Sequence, residues 1–346
     1  MTSASTLSAY ENGIMNQAAG LLAILDAPPS ADADAFLAGV VSRFDGIVMT
    51  GMGSGPWAAY PAYLRLIDAG VRVWVMEAAE LLNYGMGLLT SRNLLWITSQ
   101  SGESAEIVAL LENLPHERPV VLATVNDTSS TLARAADVVL PLHSGPSDDG
   151  VAGTGTFVNT IVSHARAVDR ILGQDSEREL ADAPAAVAGY TADWAAQREI
   201  ALALPLAGRR LIVAARGASL AAAKTGALLI KEAGKVHAEA MSAGEFRHGP
   251  IELVDSRFTA VVLEGAPRTA ELNRRIAADV VEWGGQTIWL GAEGGPGIDW
   301  RIPVLAGAAR PIAELLPLQV MSVAAGYLND VVPGDFVHAR RVTRTL

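Results

Sequence analysis

The chain has 346 residues, a formal net charge of −11, 50% hydrophobic and 18% charged residues, and no cysteine. That balance suits two ordinary domains with buried cores and excludes a disordered chain. It also excludes disulfides, thiolate metal sites and a thiol nucleophile. Lysine and arginine cluster only at Arg340, Arg341 and Arg344, so no basic face is laid out for nucleic acid. The opening MTSASTLSAYENG has no basic stretch followed by an apolar one, and no apolar run reads as long enough to cross a bilayer. The expectation is a cytoplasmic protein with neither nucleic acid nor membrane as partner.

Residues 1–45 read as helical. Tyr10, Ile14, Ala18, Leu21 and Leu25 recur at helical spacing, and Pro28-Pro29 ends the run. A shorter helix follows from Ala35 to Phe44. Short apolar strands then alternate with helices: Ile47–Thr50, Val71–Met76, Leu94–Thr98, Val120–Thr124 and Val138–Leu142. These are continuous apolar runs, which means burial on both faces of a parallel sheet between helix layers. Helical periodicity returns over Thr156–Leu172 and Ala185–Trp194. A second set of strands is expected at Leu211–Ala214, Phe258–Leu263, Thr287–Leu290 and Ile302–Leu305, with a helix from Pro311 to Tyr327 and a tail beyond.

The second half repeats the first. Ile47–Gly85 lies over Leu211–Gly249 without a gap at an offset of 164, matching Gly53 with Gly217, Leu64 with Leu228 and Gly85 with Gly249. The fold class is therefore α/β, two tandem doubly wound parallel-sheet units. The copies differ at Glu232, where the first has Asp68, and at His248, where the first has Tyr84.

Two loops follow strands of the first unit, Gly51-Met52-Gly53-Ser54-Gly55 and Ser99-Gln100-Ser101-Gly102-Glu103-Ser104. Ligands of open parallel sheets bind beyond the carboxyl ends of strands, where helix N-termini favour an anion. The first loop lacks the spacing of a dinucleotide fingerprint. The second carries more polar side chains than a helix cap needs. Further on, KEAGKVHAEAMSAGEFRHGP puts Glu232 after a helical run and His248 in a turn punctuated by Gly244, Gly249 and Pro250, so its second half is expected to be a shaped loop. A carboxylate and an imidazole on one bent segment are the residue types for moving protons. Lys231, Lys235 and Arg247 read as surface charges, and His237 as a packed residue. The six histidines are scattered and match no metal spacing, so neither metal nor other cofactor is expected.

SQSGES after a strand, KE…HAEAMSAGEFRHGP, the duplicated unit and the VTRT tail together resemble the sugar isomerase (SIS) domain proteins. The closest type is the isomerase half of glutamine–fructose-6-phosphate aminotransferase. Its relatives without the glutaminase half include ketose/aldose isomerases, aminosugar-phosphate deaminases, deglycases and sulfoquinovose isomerases. The resemblance runs from about residue 10 to the end. It implies an N-terminal SIS domain over residues 1–195 with leading helices, a C-terminal one over 196–330, and a tail over 331–346 closing on the active site. It further implies that Gly53, Ser54, Ser99, Gln100, Ser101 and Ser104 bind the sugar's anionic group. Glu232 would shuttle a proton between C1 and C2, and His248 would help open the ring, typically in the neighbouring subunit's site of a homodimer.

Three departures bear on the chemistry. These 346 residues hold no segment resembling the glutaminase half, the loop Val151-Ala152-Gly153-Thr154-Gly155-Thr156 lacks the family's lysine, and Arg341 stands at or next to the family's imine-forming tail lysine. A guanidinium stays protonated and forms no imine. What remains open is aldose–ketose isomerisation through an enediol, with Glu232 as base and Arg341 stabilising the enediolate oxygen or pairing with the anion. The expected substrate is an anionic sugar, a 6-phosphosugar or a 6-sulfosugar such as sulfoquinovose. The alternatives are an aminosugar-phosphate deaminase or deglycase, and a non-catalytic sugar-phosphate-binding regulator.

Overall fold

The computed structural model describes residues 7–27, 29–145, 152–338 and 342–345. In chain order the first half runs α1 (Ala9–Met15), α2 (Gln17–Asp26), α3 (Ala31–Ala38), α4 (Val40–Arg43), β1 (Gly46–Gly51), α5 (Gly55–Asp68), β2 (Val73–Val75), α6 (Ala78–Tyr84), β3 (Asn93–Ser99), α7 (Ala105–Glu112), β4 (Val120–Val125), α8 (Thr131–Ala135), β5 (Val138–Pro141) and α9 (Gly155–Leu172). The second half runs α10 (Glu177–Ala181), α11 (Ala183–Ala192), α12 (Trp194–Leu202), β6 (Arg210–Ala215), α13 (Leu220–Glu232), β7 (Ala238–Ser242), α14 (Ala243–Arg247), β8 (Phe258–Leu263), α15 (Pro267–Glu282), β9 (Gln286–Gly291), β10 (Ile298–Arg301) and α16 (Arg310–Leu328). Two compact units result. One gathers residues 19–145, 155–181 and 342–345, the other residues 7–18, 152–154 and 182–338.

The first unit holds a parallel sheet in the order β2-β1-β3-β4-β5. One face packs Met49, Trp96 and Leu122 against Ala59, Ala62 and Leu66 of α5 and Ala167, Val168 and Ile171 of α9. The other packs Val48, Leu95, Ile97 and Val121 against Leu81 of α6, Ile107 and Leu110 of α7 and Leu132 of α8. All five expected strands of this unit form, and burial on both faces, as continuous apolar runs require, holds for β1, β3 and β4, while the edge strand β2 is partly exposed.

The second unit's parallel sheet, in the order β10-β9-β8-β6-β7, has the same topology. Its α13 and α16 lie very close. A Cβ on Gly226 would come within 2.7 Å of Leu318 Cβ, and one on Gly234 within 2.5 Å of Ala325 Cβ. Gly226 within α13 and Gly234 just beyond its end are what admit this approach. The buried carboxylate of Glu11 ties α1 to its neighbours. It accepts from Trp194 Nε1 at 3.1 Å, Tyr327 Oη at 2.7 Å and the Ser8 N–H at 3.0 Å, the last as part of a capping box.

Several expectations need correction. The N-terminal helix splits at Asn16, and the next is two pieces divided at Gly39. The expected Ala185–Trp194 helix is divided: its residues up to Ala192 belong to α11, and Trp194 begins α12. Ile302–Leu305 is not a strand. The edge strand is β10, because Pro303 has no N–H to lend a ladder. β7 adds a strand that the sequence does not announce; its AEAMS stretch is poor in β-branched residues, and only pairing with β6 defines it. The repeat's constant offset holds from β1 to β6 but slips by one residue at the next strand, since Ile47 pairs with Val73 while Leu211 pairs with Ala238. One stretch, Gly307–Leu328, is after all long and apolar enough to span a bilayer, but 89% of its apolar 18-residue window is buried inside the protein.

Candidate functional site

β1 and β3 end side by side, with Gly51 paired to Thr98. A Cβ on Gly51 would collide with the Thr98 carbonyl oxygen, and one on Gly55 would lie 2.9 Å from it. The first loop can therefore hug β3 only as glycine. Gly53 then turns it at φ +58°, and Ser54 precedes α5 with no cap bond from its hydroxyl.

The second loop is fastened by its own polar groups. Ser99 Oγ accepts the Gly102 N–H at 3.1 Å, and Ser101 Oγ accepts the Glu103 N–H at 3.2 Å. The Gln100 carbonyl accepts the Asn126 N–H at 3.1 Å. The Glu103 carboxylate accepts the Thr131 N–H at 2.5 Å and its hydroxyl at 3.1 Å, anchoring the loop to α8. Ser104 stands at the N-cap of α7 but makes no cap bond. The Ala105 N–H is instead taken by the Thr343 carbonyl at 2.9 Å, beside buried Val342. A serine oxygen that accepts an N–H still has its own hydrogen to give, and is the better donor for it. Together with the N-terminal ends of α5 and α7, these hydroxyls make an anion-favouring edge.

The repeated unit carries no such cradle. Strand register sets Glu264 opposite the place of Ser99, and Glu264 Oε2 accepts the Ala292 N–H at 2.7 Å. A carboxylate there satisfies the loop from within.

The segment that carries Glu232 and His248 lies in the second unit. Glu232 is the half-buried last residue of α13. Its charge is felt by the buried Tyr10 phenol, whose pKa is raised first by burial and further by Glu232, against the lowering hydrogen bond with Ser322 at 2.9 Å. Lys235 turns at φ +54° and gives its ammonium to the carbonyls of Glu232 and Asp335, the latter at 2.6 Å. It is thus a clasp between the end of α13 and the tail segment, not a plain surface charge. The tail is held there also by the Ala152 N–H on the Gly334 carbonyl at 3.1 Å. Beyond β7, Ser242 and Glu245 form a capping box for α14, which ends at exposed His248. Gly249, at φ +136°, then turns the chain, so the expected bent segment is present. Arg247 pairs with Asp279. His237 is exposed, 3.7 Å from Glu239, and is not the packed residue expected. Arg341 and Val151 lie outside the described residues.

Sequence reasoning passed over His164. It is buried on α9, its ring stacked on Trp96 at 4.5 Å and its Nε2 3.1 Å from Thr98 Oγ1. Burial pushes its pKa down to about 3. Its only signal was a polar residue on the apolar stripe that continues through Ala167, Val168 and Ile171. A hollow of about 840 Å³ between α2, α3, β5 and α9 lies elsewhere in this unit. Its arginines are matched, Arg166 to Glu177 and the Ile24 carbonyl and Arg170 to Asp34, and Asp169 is held by Arg65 and Ser176. Among the described residues no three His, Asp or Glu side chains converge on a point.

The SIS domain family model matches residues 44–167 and 207–295, more than half of the chain. Glutamine–fructose-6-phosphate aminotransferase (isomerizing) of Pyrococcus horikoshii is 32% identical over 314 residues, covering 86% of this chain and 51% of that protein. The chain thus spans about half the length of the curated relatives it matches. Among solved structures, the C-terminal domain of glucosamine-fructose-6-phosphate aminotransferase from Francisella tularensis is similar at a TM-score of 0.83 and 21% identity, covering 96% of this chain and 100% of that one. Tagatose-6-phosphate ketose/aldose isomerase from Escherichia coli is similar at 0.76 and 20%, covering 95% of each. These two likenesses establish the shared fold.

Proposed function

The chain belongs to the SIS domain family, and on that premise we propose that it is an aldose–ketose isomerase for a sugar with an anionic group, a 6-phosphosugar or a 6-sulfosugar such as sulfoquinovose. The observation that carries this reading is the loop after β3, where Ser99 and Ser101 accept backbone N–H groups and keep their hydroxyl hydrogens for a tetrahedral oxyanion. Phosphate and sulfonate both present such oxygens. Gly53, Ser54, Gln100 and Ser104 complete the proposed anion grip.

In this mechanism His248 assists ring opening of the sugar. Glu232 takes the C2 proton of the aldose, the electron pair forms the C1=C2 double bond as the carbonyl pair moves onto O1, and O1 gains a proton; O2 then gives up its proton and forms the C2 carbonyl as the enediol(ate) receives the proton from Glu232 at C1. Positioned general-base catalysis of this kind contributes about 10²–10⁴-fold. Arg341, placed from sequence alone, supplies a permanent charge for the enediolate oxygen. The exposure of His248 at the end of α14 supports a role in a partner's site, and with it a symmetric homodimer.

The test is a panel of 6-phospho and 6-sulfo aldoses and ketoses in deuterated water, followed by NMR. Exchange at C2 with interconversion supports the isomerase. Release of ammonia from glucosamine 6-phosphate would make it a deaminase, and tight binding without turnover a sensor.

A further inference from the structure

We propose that His164 is a positioning residue which, by holding the Thr98 hydroxyl, sets the geometry of the two loops that grip the anion. This rests on the reading that those loops bind an anionic sugar.

On this face of the first sheet the apolar column Met49, Trp96, Leu122 gives way to hydroxyls at its carboxyl end. Thr98 and Thr124 are paired in register there. The Thr124 hydroxyl is occupied by Trp96 Nε1 at 2.9 Å. Thr98 is met by His164 Nε2 at 3.1 Å, with Thr98 3% and His164 1% exposed. A buried imidazole is a costly way to cover Trp96, since phenylalanine would stack as well without losing hydration. The group that gains is Thr98. Its carbonyl oxygen is the surface against which Gly51 and Gly55 pack, and the next residue is Ser99, whose Oγ closes the second loop. One side chain thus stands under the root of both loops.

The tautomer follows from satisfaction. Among the described residues His164 Nδ1 has no hydrogen-bond partner. A bare ring lone pair is less costly than a buried N–H without an acceptor, so the hydrogen sits on Nε2 and is donated to Thr98 Oγ1. Burial keeps the ring neutral over the working range, so the support does not vary with pH.

The test uses His164→Phe, which keeps the stack and removes the donor, His164→Gln, which restores an N–H, and Thr98→Val. Amide hydrogen exchange of residues 51–55 and 99–104 is measured without ligand, and binding of fructose 6-phosphate and sulfoquinovose by calorimetry. His164→Phe and Thr98→Val should each speed exchange in both loops at least tenfold while leaving β9 unchanged. Each should weaken binding about tenfold, the double variant no more than either single one, with His164→Gln within threefold of wild type. Wild-type loop exchange in folded His164→Phe, or additive losses in the double variant, overturns the proposal. Should His164→Phe not fold, Thr98→Val alone decides it by the same loop exchange. If wild type binds neither sugar while loop exchange rises as expected, the anionic-sugar reading falls and the positioning role stands.

Discussion

Two glycines, one in each loop, share a backbone conformation and differ in what surrounds them. Gly53 sits at φ +58°, and a Cβ added there would meet nothing within 4 Å, whereas Gly102 sits at φ +66° facing Ser130. Alanine at either site incurs the left-handed penalty of about 1–2 kcal/mol. At Gly102 the new Cβ also overlaps Ser130 Oγ, lies 2.6 Å from Ser130 Cβ and 3.2 Å from Leu132 Cβ. Ser130 is 1% exposed and its hydroxyl caps α8 by accepting the Ala133 N–H at 3.2 Å. It cannot swing away without losing a cap worth about 1 kcal/mol, and the overpacking adds about 1–2 kcal/mol. Gly102→Ala should therefore destabilise by about 3–5 kcal/mol and Gly53→Ala by about 1–2 kcal/mol. Urea unfolding of both variants at equal m-value measures the difference. Equal midpoints, or a Gly53→Ala loss larger than the Gly102→Ala loss, would refute the claim that the second loop is sterically locked to α8.

Other predictions concern the second unit. Burial opposes ionisation of Glu11, but hydrogen bonds from Ser8, Tyr327 and Trp194 hold its pKa below the ordinary 4.5. Its contribution is present above that value and lost as pH falls through the lower folded pKa. Glu11→Gln should therefore cost about 2–3 kcal/mol at pH 7, and melts taken down to pH 3 should show the gap to wild type closing. Glu314 behaves in the opposite sense: burial raises it from 4.5 to about 7, against the Ser219 hydroxyl. It stays protonated when folded at pH where the unfolded chain has lost that proton, so wild-type stability falls from pH 4.5 to 7. Glu314→Gln should lose that slope, gaining relative to wild type at pH 8 over pH 5; a parallel shift at both pH values would contradict it. Lys235→Met removes the donor to the carbonyls of Glu232 and Asp335. It should cost about 1 kcal/mol and speed amide exchange at residues 332–336, where unchanged exchange would deny the clasp.

How far the fold can be read from the sequence depends on burial. The central strands of the first sheet, β1, β3 and β4, are buried between helix layers, so their apolar runs announce them. β7 and β10 are edge strands with mixed composition, AEAMS and IDWR, and only their partners make them strands. The serines after β3 are legible because hydroxyls crowd a strand end that a cap alone does not explain. His164 is not, because its spacing places it among core residues and its partner Thr98 is 66 residues away. Lys235 is hidden for the same reason, its second carbonyl lying 100 residues on in the tail. The one-residue slip that sets Glu264 against Ser99 shows only when the two sheets are paired strand by strand.

The proposal that Glu232 moves the substrate's C2 proton is met most directly by Glu232→Gln, which keeps the side chain's size and removes its basicity. The measurement is C2 deuterium incorporation by NMR, alongside calorimetric binding of the same sugar. Incorporation should vanish while affinity stays within about threefold of wild type, since the proposed anion grip is assigned to other residues. Wild-type incorporation in the folded variant would remove Glu232 from the chemistry.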